Sequence, residues 1–397
     1  MASAKTICVV TGSRAEYGIL FWTMREILES QNLELQLIAT GTHLSDDFGH
    51  TADVIREDGF TIDEEVEVLS GDDGRLGMAT SISRGVEGLA TALSRLGPDC
   101  IMVLGDRTEI LAAAIAATAL GIPIAHLHGG ESSEGAIDES IRHAVTKMSH
   151  LHFAAMEPFA RRIIQMGEDA RHVHVVGAPG LENFLRLELS DRDKLSHRTG
   201  IDLAEPFLLV TYHPATLGKT DPVSALEQLF GALSQFPEMP LLMTKSNADA
   251  GGRKINERLE MFAAEHPGRV ALISNLGQED YLGAMREAEV VIGNSSSGLI
   301  EAPAAKTPTV NVGPRQDGRL RAASVIDCLE ESTAIEGALR QALDPSFRNS
   351  CFDEAPPYGQ PSNASQKIVS LLQATDLENV LIKKFHDLTF QNLEETP

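Results

Sequence analysis

Short runs rich in Val, Ile and Leu recur along the chain, and between them lie longer stretches whose apolar residues return every three or four positions. Runs of four to eight apolar residues suit strands buried on both faces, and the longer periodic stretches suit helices packed over them. That alternation is the pattern of parallel sheets wrapped by helices. In the first half it predicts strands in "TICVVTG", "LELQLIAT", "DCIMVLGD", "PIAHLHGG", "LHFAA" and "HVHVVG"; in the second, in "FLLVTYHP", "PLLMTK", "VALISN", "VVIGNS" and "PTVNVG". Two such arrays in series, changing over near residues 180 to 205, predict two Rossmann-like α/β domains, 1–185 and 186–363, with an interdomain cleft. A C-terminal helix, 364–390, is expected to join the first domain, and the tail "NLEETP" to fray.

A length of 397 residues agrees with two cores rather than one. The formal net charge of −24 excludes a nucleic-acid surface, because phosphate backbones are held by clustered Lys and Arg, so an anionic ligand must be bound by local devices. Cys8, Cys100, Cys328 and Cys351 stand apart without finger spacing, which predicts reduced, buried thiols and a cytoplasmic setting. The apolar run near the N-terminus is too short for a signal peptide, and "ILAAAIAATALGIPIA" is too short to span a bilayer and is cut by Gly121 and Pro123. It reads as a buried helix followed by a strand, with no membrane role.

Ligands of parallel α/β sheets bind beyond the carboxyl ends of the strands, so the informative residues are those that follow each apolar run. "TGSRAEYG" opens a helix after the first strand, where backbone N–H groups and Arg14 can face an anion, although it matches neither a dinucleotide fingerprint nor a P-loop. "VLGDRTE" places Asp106 and Arg107 at a strand tip; an Asp there either caps the next helix or works in the cleft. In "HLHGGE", His126 and His128 would share one face if the strand continued, but a His pair is half a zinc site, with no Cys or HExxH partner nearby. No metal is therefore assigned, and His126 is expected to be structural. Gly129 and Gly130 allow close backbone approach to a ligand, with Glu131 at the mouth. "IDESIRHAVTKM" has helical spacing, with Asp138 spaced for Arg142 and Glu139 for His143. At a cleft these become candidates for proton transfer. His213 ends the first strand of the second array, and "GNSSSGLIE" offers hydroxyls, N–H groups and Glu301 to a diphosphate and a ribose, with Arg315 in "NVGPRQDGR".

Taken together, "TGSRAEYG", "GDRTE", "GGE…IDESIRHAVTKMSH", "YHP", "GNSSSGLIE" and "NVGPRQDGR" resemble the UDP-N-acetylglucosamine 2-epimerase family, of the glycosyltransferase-B type fold, in order to about residue 375. The blocks are most similar to the hydrolysing branch. That resemblance implies conversion of UDP-N-acetylglucosamine to N-acetylmannosamine and UDP, by elimination to a 2-acetamidoglucal followed by water addition. The alternative it implies is the same reaction on UDP-2,4-diacetamido-2,4,6-trideoxyglucose. It further implies UDP contacts at Arg14, His213, Ser295, Ser296, Glu301 and Arg315, and sugar contacts at Asp106, Arg107, Gly129, Gly130, Asp138 and Arg142. Asp106, Asp138 and His213, with His128 or Glu131, are the catalytic candidates. Where the animal sialic-acid enzyme has a catalytic Glu before the Gly-Gly pair, this chain has His128, so His128 or Glu131 must stand in for it. The family implies no cofactor, and a homodimer or homotetramer. Rival readings are a UDP-sugar glycosyltransferase and a non-catalytic UDP-sugar sensor.

Overall fold

Apolar side chains on both faces of nearly every predicted strand need helices above and below, and the computed structural model provides them. It describes residues 4–72, 74–134, 136–215, 220–246 and 251–388. A seven-stranded sheet runs in the order β3-β2-β1-β4-β5-β6-β7, with β1 Lys5–Thr11, β2 Leu33–Thr40, β3 Glu64–Val66, β4 Cys100–Leu104, β5 Ile124–Leu127, β6 Leu151–Ala154 and β7 Val173–Val175. A six-stranded sheet follows in the order β10-β9-β8-β11-β12-β13, with β8 Leu208–Thr211, β9 Leu241–Thr244, β10 Val270–Ile273, β11 Val290–Gly293, β12 Thr309–Val312 and β13 Val325–Cys328. The paired strands are all parallel. β3 and β13 went unpredicted because both are short edge strands carrying carboxylates, Glu64, Glu65 and Asp327, in place of a continuous apolar run.

In each sheet the strand order reverses once, between β1 and β4 and between β8 and β11. Such a reversal splays the flanking loops and opens a crevice at the strand tips. In the second sheet the register pairs Gly293 with Thr211, so β8 and β11 end level beside that crevice.

"ILAAAIAATALGIPIA" forms the helix Thr108–Leu120 and strand β5, as its apolar run predicted. Among the described residues no helix is long and apolar enough to cross a membrane. The chain crosses between the sheets through Pro179–Glu182 and Asn183–Arg186. The expected helix 364–390 is shorter: Ala364–Ala374, then Leu377–Val380, with no further helix to residue 388. Ile368, Val369 and Leu372 nonetheless bury against the first helix, Arg14–Leu28, in the first sheet's core. Both ends of that segment are tied down. The Glu182 carboxylate accepts from the Ser365 N–H at 2.9 Å and hydroxyl at 2.7 Å, and Lys5 Nζ donates to the carbonyls of Leu372, Gln373 and Thr375. The tail "NLEETP" lies outside the described residues. Cys8, Cys100 and Cys351 are buried free thiols, but Cys328, on edge strand β13, is half exposed.

Candidate active site

Beyond β1, Ser13 caps the first helix, accepting the Glu16 N–H at 3.4 Å, and Arg14 reaches across the cleft to donate to Asn275 Oδ1. Two buried carboxylates lie under this turn. Glu16 accepts the Gly12 N–H at 2.7 Å, while Glu109 accepts Arg107 Nε at 2.7 Å and the Thr108 hydroxyl at 3.0 Å. A Cβ at Gly12 would fall on Glu109, so the glycine makes room for that carboxylate. Burial first, and Glu109 second, push the Glu16 carboxyl well above the usual carboxylate range. An acid whose folded pKa is raised binds its proton more tightly folded than unfolded, so stability is lost as pH rises above the unfolded value, about 4.3 for Glu. Glu16→Gln is therefore expected to gain in melting temperature over the wild type as pH goes from 5 to 8. A difference that stays constant over that range would show that Glu16 ionises normally.

Asp106 is not the cap of the helix Thr108–Leu120, whose N-cap is Arg107: its carboxylate takes Arg142 Nη2, an ion pair in which Arg142 is only 1% exposed. Arg142 also donates to Ser133 Oγ at 3.0 Å and lies 3.6 Å from Glu139. Glu139 pairs with His143 at 2.9 Å, as its spacing predicted, and additionally holds the Ser132 hydroxyl and the Ser133 N–H. Charge contacts that look like surface support in sequence thus fold the loop 131–134 over the helix Asp138–Met148.

The strand carrying "HLHGGE" stops at Leu127, and His128 turns to φ 59°. His126 and His128 therefore do not share a face. His126 is fully buried between the Gly105 carbonyl (2.8 Å) and the Thr146 hydroxyl (3.2 Å), and burial pushes it down to about 3, a neutral structural ring. The left-handed turn at His128, which costs a non-glycine residue roughly 1–2 kcal/mol, sends its Nδ1 to Glu131 Oε1 at 2.5 Å. The other Glu131 oxygen accepts Arg319 Nη1 at 2.6 Å. Burial would raise the Glu131 carboxyl, but His128 and Arg319 outweigh it and hold it ionised below the usual range. His128 Nε2 is buried and has no hydrogen-bond partner among the described residues. A Cβ on Gly129 would press on His126 and Thr146, and one on Gly130 would lie 2.4 Å from the Phe159 carbonyl, so packing alone already requires both glycines.

On the second sheet, Asn294 clamps His213, accepting its N–H at 2.7 Å and donating to its carbonyl at 2.8 Å, while His213 Nδ1 meets Ser246 Oγ at 3.2 Å. The Asn294 carbonyl accepts Arg315 Nη1 at 3.2 Å and Gln316 Nε2 at 2.8 Å. Ser296 stands at the N-cap of the helix Ser297–Ala304, and Ser295 accepts the Ser297 hydroxyl at 2.9 Å. The result is a cradle of N–H groups and hydroxyls at a helix N-terminus, flanked by a guanidinium and an imidazole. Glu301, on that helix, is half-buried, with its buried Oε2 unpartnered among the described residues; desolvation raises its pKa. A carboxyl with an open oxygen is suited to donating hydroxyls.

Asp106, Arg107, Asp138, Ser296 and Arg315 line one cavity together with Ser13, Glu16, Ser133, Gln316 and Arg319. His128 and Glu131 stand behind its wall, at 9% and 1% exposure. Sequence reasoning missed Glu16, Glu109, Ser133, Asn275, Gln316 and Arg319. Arg319 and Gln316 lay in "NVGPRQDGR" beside Arg315, but nothing in spacing says which guanidinium crosses the cleft. Among the described residues no three His, Cys, Asp or Glu side chains group to hold a metal ion.

The family model described as UDP-N-acetylglucosamine 2-epimerase matches residues 25–373. The chain belongs to that family. It is 35% identical over 386 residues to the GDP/UDP-N,N'-diacetylbacillosamine 2-epimerase (hydrolyzing) of Campylobacter jejuni, covering 97% of this chain and 100% of that one. It is equally 35% identical over 385 residues to the polysialic acid biosynthesis protein P7 of Escherichia coli, covering 97% and 98%. The fold is that of the Neisseria meningitidis UDP-GlcNAc 2-epimerase solved with UDP-GlcNAc bound, with a TM-score of 0.79 at 17% identity, covering 93% of this chain and 100% of that one. The family's two facing parallel sheets are thus the fold of this chain.

Proposed function

We propose that this chain hydrolyses UDP-2,4-diacetamido-2,4,6-trideoxyglucose with inversion at C2. The general reaction is hydrolysing UDP-sugar 2-epimerisation, the activity named for the Campylobacter relative. The observation that carries it is the convergence, in one cavity, of two carboxylates, Asp106 and Asp138, with the nucleotide cradle of Ser296 and Arg315.

Departure of UDP breaks the C1–O bond, leaves the electron pair on the diphosphate and develops positive charge at C1. That charge makes the C2 proton removable, giving the 2-acetamidoglucal. Water then adds hydroxyl to C1, and C2 is reprotonated from the opposite face. Asp106 and Asp138 transfer the protons and direct the water. His213, clamped by Asn294, and Arg14 and Arg315 meet the growing diphosphate charge. Both Glu131 oxygens are engaged, so Glu131 supports His128 rather than taking the C2 proton itself.

What adjoins the carboxylates supports this choice of sugar. A second cavity, lined by Asp106 and Asp138, continues between Phe48, Leu69, Met78, Ile137 and Ile141. Ser45, Asp47, Ser70, Asp72, Ser81 and Arg253 line it too, but its apolar side chains offer contacts that a C4 acetamido methyl and a deoxygenated C6 can use and two hydroxyls cannot. UDP-N-acetylglucosamine is the second reading, favoured by the description of the matching family model.

Purified protein is given each UDP-sugar in D2O, and UDP and free sugar are followed by proton NMR. Release of UDP with the free 2-epimer, deuterated at C2, is expected, faster from the diacetamido sugar. Release from UDP-N-acetylglucosamine alone would move the assignment to that sugar, and UDP release dependent on an added acceptor would make the chain a transferase. Met78→Gln is expected to lower kcat/KM for the diacetamido sugar by about tenfold, the worth of one or two buried methyl groups, and to leave UDP-N-acetylglucosamine unchanged. An equal loss on both sugars would take Met78 out of substrate selection.

A further inference from the structure

The short segment after β12 makes contacts on both sides of the cleft. Arg315 and Gln316 hold the Asn294 carbonyl of the nucleotide cradle. Three residues on, Arg319 crosses to the first sheet's loop, donating to Glu131 Oε2 at 2.6 Å and to Ser133 Oγ at 3.2 Å. The docking is close along its length. The Glu134 N–H donates to the Asp317 carbonyl at 3.0 Å, and Gly318, at φ 83°, packs where a Cβ would lie 2.5 Å from Ser132 Oγ.

Ser133 Oγ is shared: it also accepts Arg142 Nη2, the guanidinium that holds Asp106. From Arg319, therefore, one chain of contacts runs through Ser133 and Arg142 to Asp106, and another through Glu131 to His128. We infer that Arg319 is a positioning residue for the acid/base groups, tying the loop 131–134 to the second sheet's segment 315–319.

A planar guanidinium suits this place, since its fork reaches a carboxylate and a hydroxyl together. With Arg319 docked, Glu131 stays ionised and holds His128 by Nδ1. The ionisable groups that bear on Glu131 and Arg319 are His128, Tyr358, Glu301 and Asp138, with Arg142 acting on Arg319 and Tyr358. Among the groups that bear on Glu131, His128 and Arg319 lower its pKa. Losing Arg319 removes one of them.

This inference rests on the hydrolysing epimerase reading, so the test begins with wild-type UDP release. Arg319→Gln is expected to lower kcat about 100-fold with KM within about threefold, and to move the acid limb of the kcat profile up by about one to three pH units. Arg319→Lys, which keeps the charge without the fork, is expected to recover part of kcat and return the limb. Glu131→Gln combined with Arg319→Gln is expected to lose less than the two single losses added together, because both break the path through Glu131 to His128, and only Arg319→Gln also breaks the path through Ser133. An unchanged kcat, an unmoved acid limb, or additive losses would overturn the positioning role. Should Arg319→Gln fail to fold, Arg319→Lys alone carries the test through its kcat and its acid limb. A wild type that releases no UDP sinks the function and this inference together, whereas a working wild type with an indifferent Arg319→Gln sinks only the inference.

Discussion

Asp106→Asn is expected to cut turnover by about 100- to 10,000-fold, the usual worth of a proton-transfer group, while UDP affinity stays within about threefold. The separation follows from placement. Asp106 stands at the tip of β4, on the first sheet, whereas the cradle that would hold the diphosphate is built from β8, β11 and the segment after β12. Asn is the informative replacement because its carbonyl still accepts from Arg142, which is 1% exposed and pairs with Asp106. Ala would leave that buried guanidinium without its carboxylate, at about 3–5 kcal/mol for a broken buried pair, and would confuse catalysis with folding. Steady-state UDP release and calorimetric UDP binding on the same preparation decide the matter. Turnover close to wild type would remove Asp106 from the chemistry, and a parallel loss of UDP affinity would make it a binding residue.

Gly293→Ala is expected to destabilise the protein by about 2–6 kcal/mol, combining backbone strain with overpacking. Gly293 ends β11 at φ 138°, and a Cβ there would lie 1.9 Å from the Thr211 carbonyl, a backbone atom with nowhere to go. Relief requires β8 and β11 to part at the register where Gly293 pairs with Thr211. Asn294, the residue after β11, and His213, two residues beyond β8, would part with them. The loss should therefore appear both as a lower melting temperature and as a smaller rise in it when UDP is added. Gly337 makes the control, since nothing lies within 4 Å of a Cβ there and the helix Ser332–Leu343 gains from Ala. A Gly293→Ala protein that melts with the wild type would mean that the two strands can separate without cost.

The alternation of apolar runs and helical stretches already carried the fold. Strands buried on both faces have one physical solution, helices above and below, and strand tips at a reversal of order are where a crevice opens. β3 and β13 escaped because an edge strand needs only one neighbour and little apolar surface. The cavity's own lining was legible for the same reason, since Asp106, Asp138, Ser296 and Arg315 each follow an apolar run or open a helix.

Pairings were not legible. His126 and His128 sit two apart, yet one is a neutral core ring and the other is turned by a left-handed backbone onto Glu131. Gly129 and Gly130 read as room for a ligand, and nothing in their spacing showed that His126 and the Phe159 carbonyl pack against them. Arg315 and Arg319 are four residues apart in one loop, but one holds the Asn294 carbonyl of the second sheet and the other reaches Glu131 of the opposite sheet. By itself, then, the sequence determined the two parallel sheets, the places where chemistry can stand and the residue types that stand there, because those depend on local periodicity and on strand ends. Only the tertiary structure decided which charge neutralises which, because a buried ion pair is chosen by distance and desolvation across elements that are far apart in the chain.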